Sequence, residues 1–107
     1  FCFVIWDAGR QTLFLARDRL GVKPLYYALL PDGWLLFGSE LKSLLAHGGL
    51  QRTIDPQALE EYFALGYVPE PRTIYAAARK LEPGHTLAVR RGQSLPAPRP
   101  YWDVRFT

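Results

Sequence analysis

Leu25-Tyr26-Tyr27-Ala28-Leu29-Leu30-Pro31-Asp32-Gly33-Trp34-Leu35-Leu36-Phe37 places two apolar, aromatic-rich runs on either side of an Asp-Gly pair. Asp-Gly is a favoured hairpin turn, so the stretch predicts two strands, Leu25 to Leu30 and Trp34 to Phe37. Toward the N terminus the pattern repeats: Phe3-Val4-Ile5-Trp6 and Thr12-Leu13-Phe14-Leu15 flank Asp7-Ala8-Gly9-Arg10, a turn composition. Four strands in so short a span predict a sheet. Toward the C terminus the period changes. Ser39 is placed to cap a helix with Leu41, Leu44 and Leu45 on one face and Gly48 to end it. Asp55 followed by Pro56 is a second helix start, with Leu59, Tyr62 and Phe63 on one face, Glu60 and Glu61 on a solvated one, and Gly66 as the stop. Val68-Pro69-Glu70-Pro71 is extended, because each proline pushes its predecessor out of the helical region. Thr73 to Ala77 reads as a short helix or strand. Residues 86–91 read as a strand turning at Gly92, and Pro96, Pro98 and Pro100 as a stiff exposed segment before Tyr101-Trp102-Asp103. Strands followed by helices predict an α+β fold.

The chain has 107 residues, 49% hydrophobic, 21% charged and 14% aromatic, which excludes a disordered or fibrous segment and leaves one domain with a modest core. Its formal net charge of +3 is spread without any block of like sign, which argues against nucleic acid and membrane surfaces as partners. The single cysteine, Cys2, cannot form an internal disulfide or a metal cluster, and no apolar run approaches the ~20 residues that cross a bilayer. A cytoplasmic location is the expectation. Phe1 opens directly into a strand pattern without an initiator methionine, which suggests an interior fragment.

A self-contained active site is not visible. His47 and His85 are single and near glycines, without a metal-ligand partner at useful spacing, and read as structural. Glu60 and Glu61 are adjacent and point in different directions on a helix, so they form no facing carboxylate pair. Arg79, Lys80, Arg90 and Arg91 flank the last strand and read as charges that keep an edge soluble. The loop from Arg17 to Pro24 differs, because it sets charges at a strand end, then Gly21 where the backbone turns, then Pro24 at the re-entry. A buried Arg17 or Asp18 needs a partner, for which Glu40 is a candidate, and the loop reads as a structural brace.

Five ordered segments carry a resemblance: Arg-Asp-Arg-Leu-Gly-Val-Lys-Pro-Leu-Tyr-Tyr at 17–27, Phe-Gly-Ser-Glu-Leu-Lys-Ser-Leu at 37–44, Ile-Asp-Pro-Gln-Ala-Leu-Glu-Glu-Tyr-Phe at 54–63, Tyr-Val-Pro-Glu-Pro-Arg-Thr-Ile-Tyr at 67–75 and Leu-Glu-Pro-Gly-His at 81–85. Together they resemble the glutamine-hydrolysing asparagine synthetases over almost the whole chain, and within them the amidotransferases encoded with bacterial exopolysaccharide and exosortase systems. The resemblance implies the later half of an Ntn-hydrolase glutaminase domain, an αββα arrangement of antiparallel sheets with short helices, over residues 1–95. It implies a Pro-rich linker at 96–107 leading into a synthetase domain. In such enzymes ammonia released from glutamine passes through a tunnel to an aspartate activated with ATP, with magnesium, as an acyl-adenylate.

The same resemblance assigns roles. The glutaminase nucleophile of the family is an N-terminal cysteine in a Met-Cys-Gly start, whose own α-amino group is the base. Cys2 follows Phe1, which ties up that amino group in a peptide bond, and precedes Phe3, so Cys2 reads as a buried small residue. The glutamine-binding residues belong upstream of Phe1 and the ATP-binding loop downstream of Thr107, so no catalytic, cofactor or metal residue is assigned within the chain. Val22 matches an apolar position lining the start of the ammonia tunnel, where neutral ammonia needs a wall that neither protonates nor hydrogen-bonds it. Arg17, Asp18, Gly21, Pro24 and Glu40 form the supporting loop. The partners implied are the protein's own synthetase domain, glutamine, aspartate and ATP, and a second copy in a homodimer. Two alternatives stand beside this reading: an amidotransferase acting on another acceptor, such as an exopolysaccharide precursor, and a non-catalytic stand-alone interaction domain.

Overall fold

The computed structural model describes residues 2–18 and 23–100, with side chains in the first strand from Val4 onward. In chain order the elements are β1 (Cys2–Asp7), β2 (Thr12–Arg17), β3 (Tyr26–Leu29), β4 (Leu35–Gly38), α1 (Leu41–Leu45), α2 (Pro56–Leu65), β5 (Arg79–Lys80), β6 (His85–Arg90) and β7 (Arg99–Pro100). All strand pairing is antiparallel and the helices are short, so the α+β class expected from the sequence is the class observed.

The predicted strands of the first forty residues do form two hairpins, but they belong to different sheets. One sheet has the order β1-β2-β6-β7 and the other β4-β3-β5. The chain divides accordingly into one compact unit of residues 1–24 and 81–107 and another of 25–80. What separates the hairpins is competition from later strands, since β6 pairs along β2 and β5 along β3.

In the first unit β6 alternates, with Leu87 and Val89 buried and Ala88 and Arg90 exposed. Leu15 lies opposite Leu87 and Leu13 opposite Val89, giving a sheet with one apolar face. The β1–β2 turn is held by the Asp7 carboxylate, whose Oδ1 accepts from the Arg10 N–H at 3.2 Å. The expected stiff tail ends in pairing: His85 sits opposite Pro100 and Thr86 opposite Arg99. Proline is tolerated there because β7 is an edge strand, with one side free of ladder bonds.

In the second unit Ala28, Leu30, Leu44, Leu50 and Ala78 are buried together, with Tyr26, Leu36 and Leu41 packed against them. Leu44 is the buried residue of α1, which lies on β3 and β4. The expected cap of α1 at Ser39 is corrected. Glu40 occupies the N-cap position in extended backbone without a side-chain cap bond, and its carboxylate instead meets the Lys42 ammonium at 3.2 Å. The second helix follows the sequence closely. Asp55 Oδ1 accepts from the Gln57 and Ala58 N–H groups, Pro56 occupies the first turn, and Gly66 ends the helix in the left-handed region at φ 82°. Residues 73–77 form neither helix nor strand beyond one bridge, Ile54 to Tyr75.

Candidate functional site

Two of the segments that carry the family resemblance meet at one end of the β2–β6 ladder. The register sets Ala16 opposite Thr86, which brings the 81–85 turn over the end of β2. Arg17, 4% exposed, donates from Nη1 to the Leu81 carbonyl at 2.7 Å. The Gly84 N–H is shared between the carbonyls of Arg17 at 2.9 Å and Asp18 at 2.8 Å. Gly84 has φ 70°, which admits glycine with little cost and strains other residues. The turn is also closed on itself: the His85 N–H donates to the Glu82 carbonyl, and the His85 Nδ1 lies 2.8 Å from the Pro83 carbonyl. The result is a clasp. It ties the end of β2 to the 81–85 turn by one charge-assisted bond and two backbone bonds.

In the other unit, α2 and the segment after it bound an open groove of about 640 Å³. Its apolar lining includes Leu59, Tyr62, Phe63, Tyr67, Val68 and Ile74. Arg72 spans the base of the helix, donating from Nε to Glu61 Oε1 at 2.8 Å and from Nη2 to Oε2 at 2.6 Å. This two-point pairing holds the Glu61 carboxyl below the usual carboxylate range and raises Arg72 in turn. Thr73 is buried. Its hydroxyl lies 2.7 Å from the Ala78 carbonyl and 2.9 Å from that of Tyr75, and it accepts from the Tyr75 N–H at 3.2 Å. The segment so held leads into β5, where the Lys80 ammonium sits 5.3 Å from the Tyr26 ring centroid and 3.8 Å from Glu70 Oε1.

Arg17 and Asp18 thus lie in the clasp, and Pro24 is half-buried where the chain re-enters the fold. Glu40 is exposed beside Lys42. Gly21 and Val22 lie outside the described residues, as do the side chain of Cys2 and Trp102. Two charged groups differ from their sequence reading. Glu61 is not part of a solvated face but one half of a partly buried ion pair, and Lys80 does more than keep an edge soluble. The signal for Glu61 is its position one turn into a capped helix that is followed, past two prolines, by an arginine; nothing local announces Thr73. His47 is structural, its Nδ1 accepting from the Gly49 N–H at 3.0 Å. Among the described residues no group of three or more His, Cys, Asp or Glu is placed to hold a metal ion, and no helix is long and apolar enough to cross a membrane.

The described residues thus form an antiparallel α+β framework with a clasp at the end of β2. The sequence pattern of the glutamine amidotransferase domain matches residues 1–102, and the chain belongs to that family. It is similar to asparagine synthetase [glutamine-hydrolyzing] 3 of Bacillus subtilis, 41% identical over 105 residues that cover 97% of this chain and 17% of the relative. It is 42% identical to asparagine synthetase [glutamine-hydrolyzing] 1 of the same organism, over 84% of this chain and 14% of the relative. Amidase chyE of Penicillium rubens is 40% identical over 99% of this chain and 15% of its own length. The chain therefore spans about a sixth of the length of the curated relatives it matches.

Proposed function

We propose that these residues belong to the glutaminase domain of a glutamine-hydrolysing, asparagine synthetase-type amidotransferase, a carbon–nitrogen ligase of the cytoplasm that joins ammonia from glutamine to a carboxylate activated with ATP. The observation that carries the reading is the 41% identity to a glutamine-hydrolysing asparagine synthetase over 97% of the chain. On this reading ATP and magnesium act in a synthetase portion of the polypeptide.

The part these residues play is support. The clasp fixes both the end of β2 and the 81–85 turn. By resemblance Val22, a few residues further along the sequence, lines the start of the ammonia tunnel. Aspartate is the acceptor on this reading. The 40% identity to an amidase favours a second reading, in which the same domain serves another acceptor.

Full-length enzyme supplied with glutamine, aspartate and ATP tests both. Glutamate and asparagine appearing together support the first reading, and glutamate without asparagine points to another acceptor. An enzyme that releases no glutamate overturns the proposal. Val22→Ala is expected to leave glutamate release near wild type while lowering amide formed per glutamate, because a widened apolar wall leaks ammonia. Unchanged coupling in that variant removes Val22 from the tunnel.

A further inference from the structure

Asp32-Gly33, at the tip of the β3–β4 hairpin, is the one place in these 107 residues where an aspartate precedes a residue without a side chain. The other four aspartates precede Ala8, Arg19, Pro56 and Val104. The surroundings are open. Pro31, Asp32, Gly33 and Trp34 are all exposed, and a side-chain carbon at Gly33 would meet nothing within 4 Å. Asp32 Oδ1 accepts from the Trp34 N–H at 3.2 Å, so the carboxyl is turned back along the Gly33 peptide that follows it. The Gly33 N–H donates to the Leu30 carbonyl at 2.9 Å, and the Leu30 N–H to the Trp34 carbonyl at 2.8 Å. Attack by the Gly33 nitrogen therefore draws on brief openings of the turn, and an exposed hairpin tip is where such local opening costs least.

We propose that Asp32-Gly33 is a site of spontaneous aspartate isomerisation, at which the peptide linkage moves from the α- to the β-carboxyl of Asp32. The Gly33 nitrogen bonds to Asp32 Cγ while the carboxyl hydroxyl leaves with the nitrogen's proton as water, closing a five-membered succinimide. Water then adds to one of the two ring carbonyls. Breaking the bond from nitrogen to Cγ restores aspartate. Breaking the bond from nitrogen to the main-chain carbonyl carbon leaves the peptide running through Cγ, with the α-carboxylate free. Water leaves and returns, so the product has the mass of the starting chain and no oxidant or cofactor takes part. Glycine favours the step twice over, because no side chain shields its nitrogen and its backbone reaches conformations closed to other residues. The isomer carries the Asp32 methylene within the main chain of the turn, between Leu30 and Trp34, whose backbones are paired. Leu30 is 4% exposed in the core of its unit, so the lesion acts on the packed end of β3 and not only on the surface. The freed α-carboxylate is a substrate for an S-adenosylmethionine-dependent isoaspartyl carboxyl methyltransferase.

The test incubates the full-length polypeptide at neutral pH, digests it and reads the peptides by electron-transfer fragmentation, which separates isoaspartate from aspartate at equal mass. Asp7 is the internal reference, since it lies in the other hairpin turn but precedes Ala8 and has its Oδ1 engaged by the Arg10 N–H. Isoaspartate is expected to accumulate at residue 32 several-fold faster than at residue 7. Asp32→Glu, which keeps the charge but closes only a less favourable six-membered ring, is expected to abolish the signal at residue 32. Methyl transfer from S-adenosylmethionine by an isolated isoaspartyl methyltransferase should label the incubated wild type at that position and leave the glutamate variant unlabelled there. Residue 32 remaining aspartate, isomerising no faster than Asp7, or carrying the same methyl label in the glutamate variant overturns the proposal.

Discussion

Replacing Thr73 by valine changes one hydroxyl for a methyl at almost constant volume, so its effect isolates the hydrogen bonds. Thr73 is 5% exposed and the Ala78 residue it serves is 1% exposed, which leaves water no access to a carbonyl deprived of its donor. The hydroxyl has one proton, and the 2.7 Å contact to Ala78 is the shorter of its two carbonyl contacts. Losing a net hydrogen bond costs about 1 kcal/mol, and leaving a buried acceptor unpaired costs about 1–3 kcal/mol. The Tyr75 N–H loses its acceptor as well, at a poorer distance of 3.2 Å. Thr73→Val is therefore expected to destabilise the protein by about 2–3 kcal/mol. With a urea m-value of about 1–3 kcal/mol/M, the unfolding midpoint falls by about 0.7–3 M at unchanged m. Thr73→Ser keeps the hydroxyl and drops one methyl, for about 1 kcal/mol. A valine variant as stable as the serine variant refutes the account, because the methyl rather than the hydroxyl would then be holding the turn.

The Asp55 cap predicts that Asp55→Ala costs about 1 kcal/mol, measured by the same denaturation, and a neutral result removes the side chain from the cap. Gly84 sits at positive φ and its N–H feeds two carbonyls of the clasp, so Gly84→Ala is expected to lose about 1–2 kcal/mol; a stabilised variant contradicts the left-handed geometry. Glu61 has its carboxyl held low by Arg72 in the folded state, so its contribution is complete above the ordinary carboxylate range and disappears as pH falls through the lowered value. The stability gap between wild type and Glu61→Gln should accordingly close on acidification, and a gap that stays constant from neutral pH into acid refutes the pairing.

Local chemistry made the hairpins and the second helix legible. Asp32-Gly33 sits between β3 and β4, with Gly33 at φ 95°, and Asp55, Pro56 and Gly66 bound α2 as their types require. Each of those signals acts over a few bonds, and so each can be read from a few residues. The assignment of the hairpins to two sheets could not be read this way. It depends on β5 and β6, some seventy residues beyond β2 in the case of β6, and alternation within a strand says which face is apolar but not which edge finds a partner. The clasp has the same origin. Arg17 is legible as a charge at a strand end in need of a partner, but one acceptor it finds is a backbone carbonyl, which every residue type carries and no side-chain pattern announces.

The same distinction bears on the groove. Periodicity identified Leu59, Tyr62 and Phe63 as one face of α2, and that much is correct as geometry. Apolar periodicity reports only that a face is costly to leave in water; it does not say that the cover comes from the same hundred residues. Here the core of the unit is closed by Leu44 and Leu50 instead, and α2 is fastened through Asp55, Glu61 and the buried Ala58. Those ties hold the helix without the aromatic face. The clasp can be understood in the same way: Arg17 and Gly84 make three hydrogen bonds that join the end of β2 to the 81–85 turn, contacts that no periodicity announces.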